Sequence, residues 1–378
     1  MIKIDRILQP ELEKKWNDRK ILVVVGPRQV GKTTLLQALC IKNDSNYLFV
    51  NGDDSATREI LNNISESNLK HFVGASKTIF IDEAQRITNI GLTAKIIYDR
   101  FNDVKLLLSG SSALEIANTI NEPLTGRKWE YNLYPISWEE YVNFKGYLNA
   151  RLDLNTRLIY GMYPEVVTNP TNSQQLLSSI AGSYLYKDLL QYQGIRKPEI
   201  LEKILIALAL QLGSEVNYNE LANTLRIDRA TVEQYINLLE KTYVIFKLNP
   251  FSRNLRNELS SGRKIYFYDN GIRNALIGDF KPVELRQDIG QLWENFCVSE
   301  RIKQHSYKQW YGKHYFWRTY QQQEIDLIEE IDGKISTYEF KWNVNKKGGI
   351  PKTFAKNYEV ENELIVTPEN FYASFLNL

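Results

Sequence analysis

Only two cysteines, Cys40 and Cys297, occur in 378 residues, far apart and without zinc or redox spacing. That excludes a disulfide framework and a cysteine-built zinc site, and it fits a reducing compartment. Long hydrophobic runs are also missing; the longest, Ile204 to Leu210, is too short to cross a bilayer. The amino-terminal stretch Met1 to Pro10 is charged, with neither the apolar core nor the small-residue cleavage site of a secretion signal. A cytoplasmic protein with no membrane partner is expected. Charge of one sign is lacking too: 47 basic residues meet 45 acidic ones, for a net +2. There is no global positive field to drive non-specific binding of nucleic acid, and only local patches remain. No internal repeat or low-complexity linker is visible.

What is present is the composition of a soluble globular protein, 43% hydrophobic and 24% charged. At roughly 150 residues per domain, the length suits two or three domains.

The informative stretch is Ile21 to Thr34. Five apolar residues, Ile21 to Val25, read as a strand buried on both faces, and Gly26 to Thr33 fits G-x-x-x-x-G-K-[ST]. A phosphate chain must be wrapped by backbone N–H groups, so Gly26 and Gly31 allow the tight loop. The expected nucleotide-binding residues are Gly26, Pro27, Arg28, Gln29, Val30, Gly31, Lys32, Thr33 and Thr34. Lys32 supplies a point charge to the β- and γ-phosphates, and Thr33 offers its hydroxyl to Mg²⁺ at a helix start. Leu35, Leu36 and Leu39 form that helix's buried face.

A second apolar strand, Thr78 to Ile81, ends in Asp82 and Glu83, as a Walker B element requires. Asp82 is expected to orient Mg²⁺ and Glu83 to polarise the attacking water. Asn46 to Val50 reads as another short strand, followed by Asp53 and Asp54 in a polar turn. Val104 to Leu108 reads as a strand leading into Ser109, Gly110, Ser111 and Ser112. Ser109, with Ser111 behind it, is the candidate sensor of the γ-phosphate. Strand and helix units of this kind make an α/β, doubly wound parallel sheet of the P-loop AAA type, with the ligand at the carboxyl ends of the strands. Ser137 and Glu140 have capping-box spacing for a helix through Phe144. For Arg127 two readings stand equal: an arginine finger, in cis or toward a neighbouring subunit, or an ion-pair partner.

Taken in order, Gly26–Thr33, Asp82-Glu83, Ser109–Ser112, Gly126-Arg127, Tyr134–Ser137 and Gly161-Met162-Tyr163-Pro164-Glu165 closely resemble a bacterial and archaeal family of AAA-type ATPases. In that family the ATPase is fused to a C-terminal domain of unknown function. The resemblance covers nearly the whole chain. It implies ATP and Mg²⁺ as cofactors. It also implies a place for Pro164 near the nucleotide, as in the Gly-x-Pro turn of STAND-type ATPases, although the spacing here is one residue longer. Tyr184 to Leu190 looks like the family's Tyr-Leu-x-(Lys/Arg)-Asp helix, with Lys187 as a second phosphate sensor or a solvated lysine.

From Pro198 the pattern changes. Helices are expected over 199–212, 217–225 and, capped by Asp228, through Lys241, with strands over 243–248 and 264–268; this order describes a winged helix. Arg229, Thr231, Gln234 and Asn237 are the candidate readers of a DNA groove. Asp228, Glu233 and Glu240 on the same helix have the wrong sign for phosphates, which weighs toward a structural or subunit-contact role. Arg253, Arg256, Arg263 and Lys264 make the wing side basic.

The last hundred residues hold a second chemistry. A helix begins at Gln291 and carries Glu294, Tyr315 to Arg318 reads as a strand, and 324–328 and 337–342 as an antiparallel pair. Alternation places Glu324, Asp326 and Ile328 on one face, and Glu339 with Lys341 on a face of the next strand. One carboxylate followed by Glu-x-Lys is the arrangement of PD-(D/E)xK nucleases. Asp326 and Glu339 would hold Mg²⁺, Lys341 would orient the water, and Glu294 would be the extra acid. The family's C-terminal region is regarded as related to this restriction-endonuclease-like fold. For Lys346 and Lys347, with Lys352 and Lys356 nearby, two readings stand equal: contact with a phosphate backbone or a solvated turn.

The expected layout is an AAA-type P-loop core over 1–145, a helical lid or connector over 146–197, a winged-helix domain over 198–282 and a nuclease-like α/β domain over 283–378. The expected function is Mg²⁺-dependent ATP hydrolysis whose nucleotide state controls the C-terminal domain acting on DNA or RNA. The alternative is a STAND-like switch, assembling as a homo-oligomer or with a protein partner, whose C-terminal domain does not cleave.

Overall fold

The structure, a computed structural model, describes residues 3–62, 65–111, 123–184, 197–252, 262–319, 321–345 and 348–376. The chain divides into two compact units: Met1–Phe144 with Lys241–Tyr243, and Lys145–Glu240 with Val244–Leu378.

The first unit is built on a five-stranded sheet of order β2-β3-β4-β1-β5, in which every pair is parallel. Its strands are β1 (Ile21–Val25), β2 (Leu48–Asn51), β3 (Thr78–Asp82), β4 (Lys105–Gly110) and β5 (Lys128–Asn132). All five residues of β1 are buried, because helices cover both faces of the sheet. At about 1.5–3 kcal/mol per fully buried aliphatic side chain, this strand anchors the loop that follows it. Val23, Val25, Ile79, Ile81, Leu106 and Leu108 make one core face, filled by Leu61, Leu69, Ala94 and Ile97. Against the sheet pack α1 (Leu8–Lys14) through α2 (Lys32–Asn43), then α3 (Ser55–Leu61), α4 (Glu66–Val73) and α5 (Ile90–Arg100). Helix α6 (Trp138–Lys145) starts at the expected capping box: Ser137 Oγ accepts from Glu140 N at 3.2 Å, and Glu140 Oε2 from Ser137 N at 2.9 Å.

In the second unit, helices α7 (Tyr147–Leu152), α8 (Leu154–Tyr160), α9 (Pro164–Thr168) and α10 (Ser173–Ser179) precede α11 (Pro198–Leu210). Then come β6 (Glu215–Val216), α12 (Tyr218–Leu225), α13 (Arg229–Lys241), β7 (Ile245–Pro250), β8 (Arg263–Phe267) and α14 (Asn270–Ile277). Asp228 caps α13 as expected, accepting from Thr231 N at 2.8 Å. The strand expected at Tyr243 begins at Ile245, because Tyr243 takes a left-handed φ of 59°. The C-terminal part contributes α15 (Ile289–Tyr307), β9 (Lys313–Arg318), β10 (Glu324–Ile331), β11 (Lys334–Phe340), α16 (Lys352–Asn357) and β12 (Asn362–Val366).

Its strands do not form a sheet of their own. The order β12-β11-β10-β9-β7-β8-β6 joins them to the β7–β8 hairpin in one seven-stranded sheet, through the parallel pairing of β7 with β9. One expectation is corrected here. The register between β10 and β9 shifts between Ile325 and Ile328, and this bulge breaks the period of two. Ile328 therefore joins Ile325 and Ile335 in a core cluster instead of sharing a face with Asp326.

Candidate nucleotide-binding site

The loop between β1 and α2 leaves the carboxyl edge of the parallel sheet, where open α/β sheets place ligands. Its shape needs glycine. A Cβ on Gly26 would lie 2.0 Å from the Leu133 carbonyl oxygen, and Gly31 has a left-handed φ of 93°. Gln29 is left-handed as well, at φ 59°. Lys32 opens α2 with its stem buried, and its Nζ donates to the carbonyls of Gly26 (3.0 Å) and Pro27 (2.7 Å), so the ammonium lies across the loop.

Strand β4 lies between β1 and β3, with Val24 opposite Ser109. That order brings three expected residues together. Thr33 Oγ1 donates to Asp82 Oδ2 at 2.7 Å, and Ser109 Oγ donates to Asp82 Oδ1. The donor set of a carboxylate and a hydroxyl at a helix start, beside a glycine cradle and a lysine, fits a Mg²⁺–triphosphate. Glu83 follows with φ 47°, ψ 43°, a left-handed turn that redirects the chain directly after Asp82. Gln85 Nε2 donates to Glu83 Oε2 at 2.6 Å and to Ser111 Oγ at 2.9 Å.

Two residues brace the loop, and the first carries no local sequence signal. Arg6, before α1, is buried; it donates to the Val30 carbonyl (2.6 Å), the Tyr134 carbonyl (2.6 Å) and Glu140 Oε1 (3.0 Å). Glu140, the capping-box acid, also accepts from Ile7 N at 2.8 Å, so α6 and the loop share one buried ion pair.

Arg127 is not brought to this site within one chain, which corrects the cis reading. Its carbonyl accepts from Ile21 N, and Lys128 stands opposite Ile21 while Asn132 stands opposite Val25. It therefore sits at the amino edge of the sheet, about 13 Å of strand away from the loop at ~3.3 Å per residue. There it pairs with Asp99 of α5 at 3.0 Å. Pro164 lies in the second unit, as the first residue of α9. Its Gly161–Pro164 turn is held by buried Asp269, which accepts from Met162 N at 2.6 Å, and a Cβ on Gly161 would lie 2.0 Å from Asp269 Oδ1. Ser112, Lys187, Arg253, Arg256, Lys346 and Lys347 lie outside the described residues.

In the second unit two of the four expected nuclease residues, Glu294 and Asp326, lie with Glu324 around a lysine that the sequence placed on the wing side. Lys264 of β8 is fully buried; its Nζ pairs with Glu294 of α15 at 2.9 Å and with Glu324, and stands 3.9 Å from Asp326. Tyr266 also donates to Glu294, at 2.6 Å. Burial pushes the Glu294 carboxyl up to about 7 against the pull of Lys264. Burial alone would lower Lys264, but Glu294, Tyr266, Asp326 and Glu324 outweigh it and hold the ammonium well above its usual range. Asp326 Oδ2 accepts from Phe340 N at 2.9 Å. Lys341, one residue past the end of β11, reaches Glu339 Oε2 at 3.4 Å. That oxygen is buried without a well-directed hydrogen bond, and burial, then Asp326, raises the Glu339 carboxyl against Lys341. A buried carboxylate oxygen that Lys341 reaches at 3.4 Å, beside a second acid, fits a cation at Asp326 and Glu339; Glu294 is already engaged by Lys264. Asn237, a proposed groove reader, is likewise occupied, accepting from Lys247 at 2.7 Å.

Among the described residues one trio, His305, His314 and Glu329, has metal-ligand proximity. Its atoms serve a packed network. Arg301 donates to both Glu329 oxygens (2.7 and 3.0 Å), as does Tyr338 to one (3.0 Å). The imidazoles approach to 2.8 Å, closer than the about 3.3 Å between donors on a tetrahedral ion.

Comparison with known proteins agrees with the first unit's fold. Residues 18–142 match the model of a family described as an AAA domain; 151–282 and 289–375 match two described as domains of unknown function, DUF8612 and DUF4143. The parallel five-stranded sheet of the first unit agrees with the match of residues 18–142 to an AAA domain. An uncharacterised protein of Mycobacterium tuberculosis is 27% identical over 336 residues, 87% of this chain and 72% of that protein. One of Haemophilus influenzae is 25% identical over 309 residues, 74% of each. Among solved structures, the Thermotoga maritima RuvB Holliday junction branch migration motor aligns at 15% identity and TM-score 0.36, over 69% of this chain and 92% of that one. No helix among the described residues is long and apolar enough to cross a membrane.

Proposed function

We propose that this protein binds ATP with Mg²⁺ and hydrolyses it at the loop from Gly26 to Thr34. The observation that carries the reading is the hydrogen-bonded set Thr33–Asp82–Ser109 beside Lys32. In this reading the backbone N–H groups from Gly26 to Gly31 wrap the phosphates, and Lys32 turns from the Gly26 and Pro27 carbonyls to the β- and γ-phosphates. Thr33 and Asp82 would hold Mg²⁺, which when bound neutralises charge building on the phosphate oxygens. Glu83 accepts the proton of the attacking water, and Ser109 reports the γ-phosphate to Asp82. The test is ATP turnover by the purified chain against Lys32→Ala and Glu83→Gln. Turnover lost in both supports the reading, and turnover kept in either contradicts it.

The nucleotide state, in the finer reading, controls the second unit as a PD-(D/E)xK nuclease-like domain acting on DNA or RNA. Asp326 and Glu339 would hold Mg²⁺ there, and Lys341 would orient water; the buried Glu339 oxygen, within 3.4 Å of Lys341, supports this. Helices α11–α13 with the β7–β8 hairpin would then serve as a winged helix. A second reading, a STAND-like switch whose C-terminal domain binds a protein partner without cleaving, is favoured by Lys264, which already neutralises Glu294 and Glu324. Labelled DNA and RNA, incubated with Mg²⁺ and ATP, separate the two. Cleavage that disappears in Glu339→Ala and Lys341→Ala supports the nuclease; intact substrates with nucleotide-dependent assembly support the switch.

A further inference from the structure

Gln85 is used by neither the loop nor the metal set, yet it lies between the residue that receives a proton and the strand that reads the γ-phosphate. Its Nε2 bonds Glu83 Oε2 at 2.6 Å and Ser111 Oγ at 2.9 Å, joining the turn after β3 to the end of β4. Its Oε1 is buried with no hydrogen-bond partner. Buried amide oxygens are rarely left this way, and one beside a reacting centre calls for an explanation. The left-handed turn at Glu83 brings both side chains to the carboxyl edge of the sheet. One carboxylate oxygen of Glu83 is thus fixed by an amide N–H, leaving the other for a water proton.

We infer that Gln85 positions the nucleophilic water together with Glu83. The inference rests on the ATPase reading above. Water offers two protons: one goes toward Glu83 Oε1, and the second is accepted by Gln85 Oε1, which orients the oxygen lone pair along the line of attack. As the bond from water oxygen to the γ-phosphorus forms, the bond from that phosphorus to the β–γ bridging oxygen breaks. ADP leaves with the bridging electrons, and Glu83 takes the proton and passes it to the departing phosphate. Gln85 stays neutral throughout. Its bond to Ser111 ties the alignment to the strand that carries Ser109, so the water is ordered only when the γ-phosphate side of the site is in place.

The experiment measures steady-state turnover, affinity for a non-hydrolysable ATP analogue and affinity for ADP–aluminium fluoride in Gln85→Ala and the isosteric Gln85→Glu. Expected for both is a kcat about 10- to 1,000-fold lower, as for removal of one oriented polar group. Affinity for the analogue should stay within about two-fold, and affinity for ADP–aluminium fluoride, which recruits the attacking water, should fall by about ten-fold or more. Gln85→Glu keeps the shape, so it decides the matter if the alanine variant does not fold. Wild-type kcat in either folded variant overturns the inference, as does an equal loss of affinity for both nucleotide complexes. Lys32→Ala and Glu83→Gln run alongside. If they retain turnover the ATPase reading has failed; if they lose it while Gln85→Glu does not, only the role of Gln85 has failed.

Discussion

Arg6 shows how a residue far from the phosphates governs the loop that wraps them. It is buried against Glu140 and also donates to the carbonyls of Val30 and Tyr134. Removing it leaves Glu140 as a buried carboxylate without its cation, and breaking such a pair from one side costs about 3–5 kcal/mol. Arg6→Ala is therefore expected to lower stability by that order in denaturant titrations, and to weaken nucleotide binding in whatever fraction stays folded. A change under about 1 kcal/mol would mean that the pair does not brace the loop. Legibility in the sequence divides sharply at this scale. Gly26, Lys32, Thr33, Asp82 and Glu83 are fixed by local spacing, because a strand, a tight turn and a helix start place them without help from distant chain. Arg6 meets Val30 and Glu140 only after folding, across 24 and 134 residues, and no local pattern announces that. Lys264 is the same case: it reads as a basic wing residue and lies buried among three carboxylates.

Elements explain why other expectations shifted. Position along a strand decided Arg127: read as a turn residue after the sensor strand, it lies at the amino end of β5, at the edge opposite the loop. A bulge in β10 decided Ile328, since alternation holds only while the register does. The meeting of α15, β9 and β10 also sets a pH dependence. Burial, then Arg301, His314 and Lys308, lowers His305 to about 2 from 6.5, and burial lowers His314 to about 4. A histidine whose folded pKa is depressed contributes stability that is fully present above its unfolded value and lost as pH falls below it. At about 1.4 kcal/mol per unit, His305 alone should take on the order of 2 kcal/mol from the second unit between pH 6.5 and 5. Denaturant midpoints across that range should fall with acid and fall less in His305→Asn; a midpoint indifferent to pH would contradict the assignment.

For the whole molecule, four strands of the first unit's parallel sheet were readable because each holds a short apolar run bounded by turn residues, whereas β5, Lys-Trp-Glu-Tyr-Asn, has no such run and was not expected. The second unit was readable element by element but not as a sheet. Pairing β7 with β9 joins residues 66 apart in the chain, Asn249 with Tyr315 and Pro250 with Phe316, a connection set by packing and not by any repeat or spacing. Its function rests on what the first unit does with ATP. The most direct measurement is ATP turnover by the purified chain with Mg²⁺, with and without single- and double-stranded DNA or RNA, against Lys32→Ala. Mg²⁺-dependent turnover that vanishes in Lys32→Ala is the expected result, and stimulation by a nucleic acid would add the second unit to the same cycle. Nucleotide binding absent from the wild-type chain, or turnover unchanged in Lys32→Ala, would contradict the account at its centre.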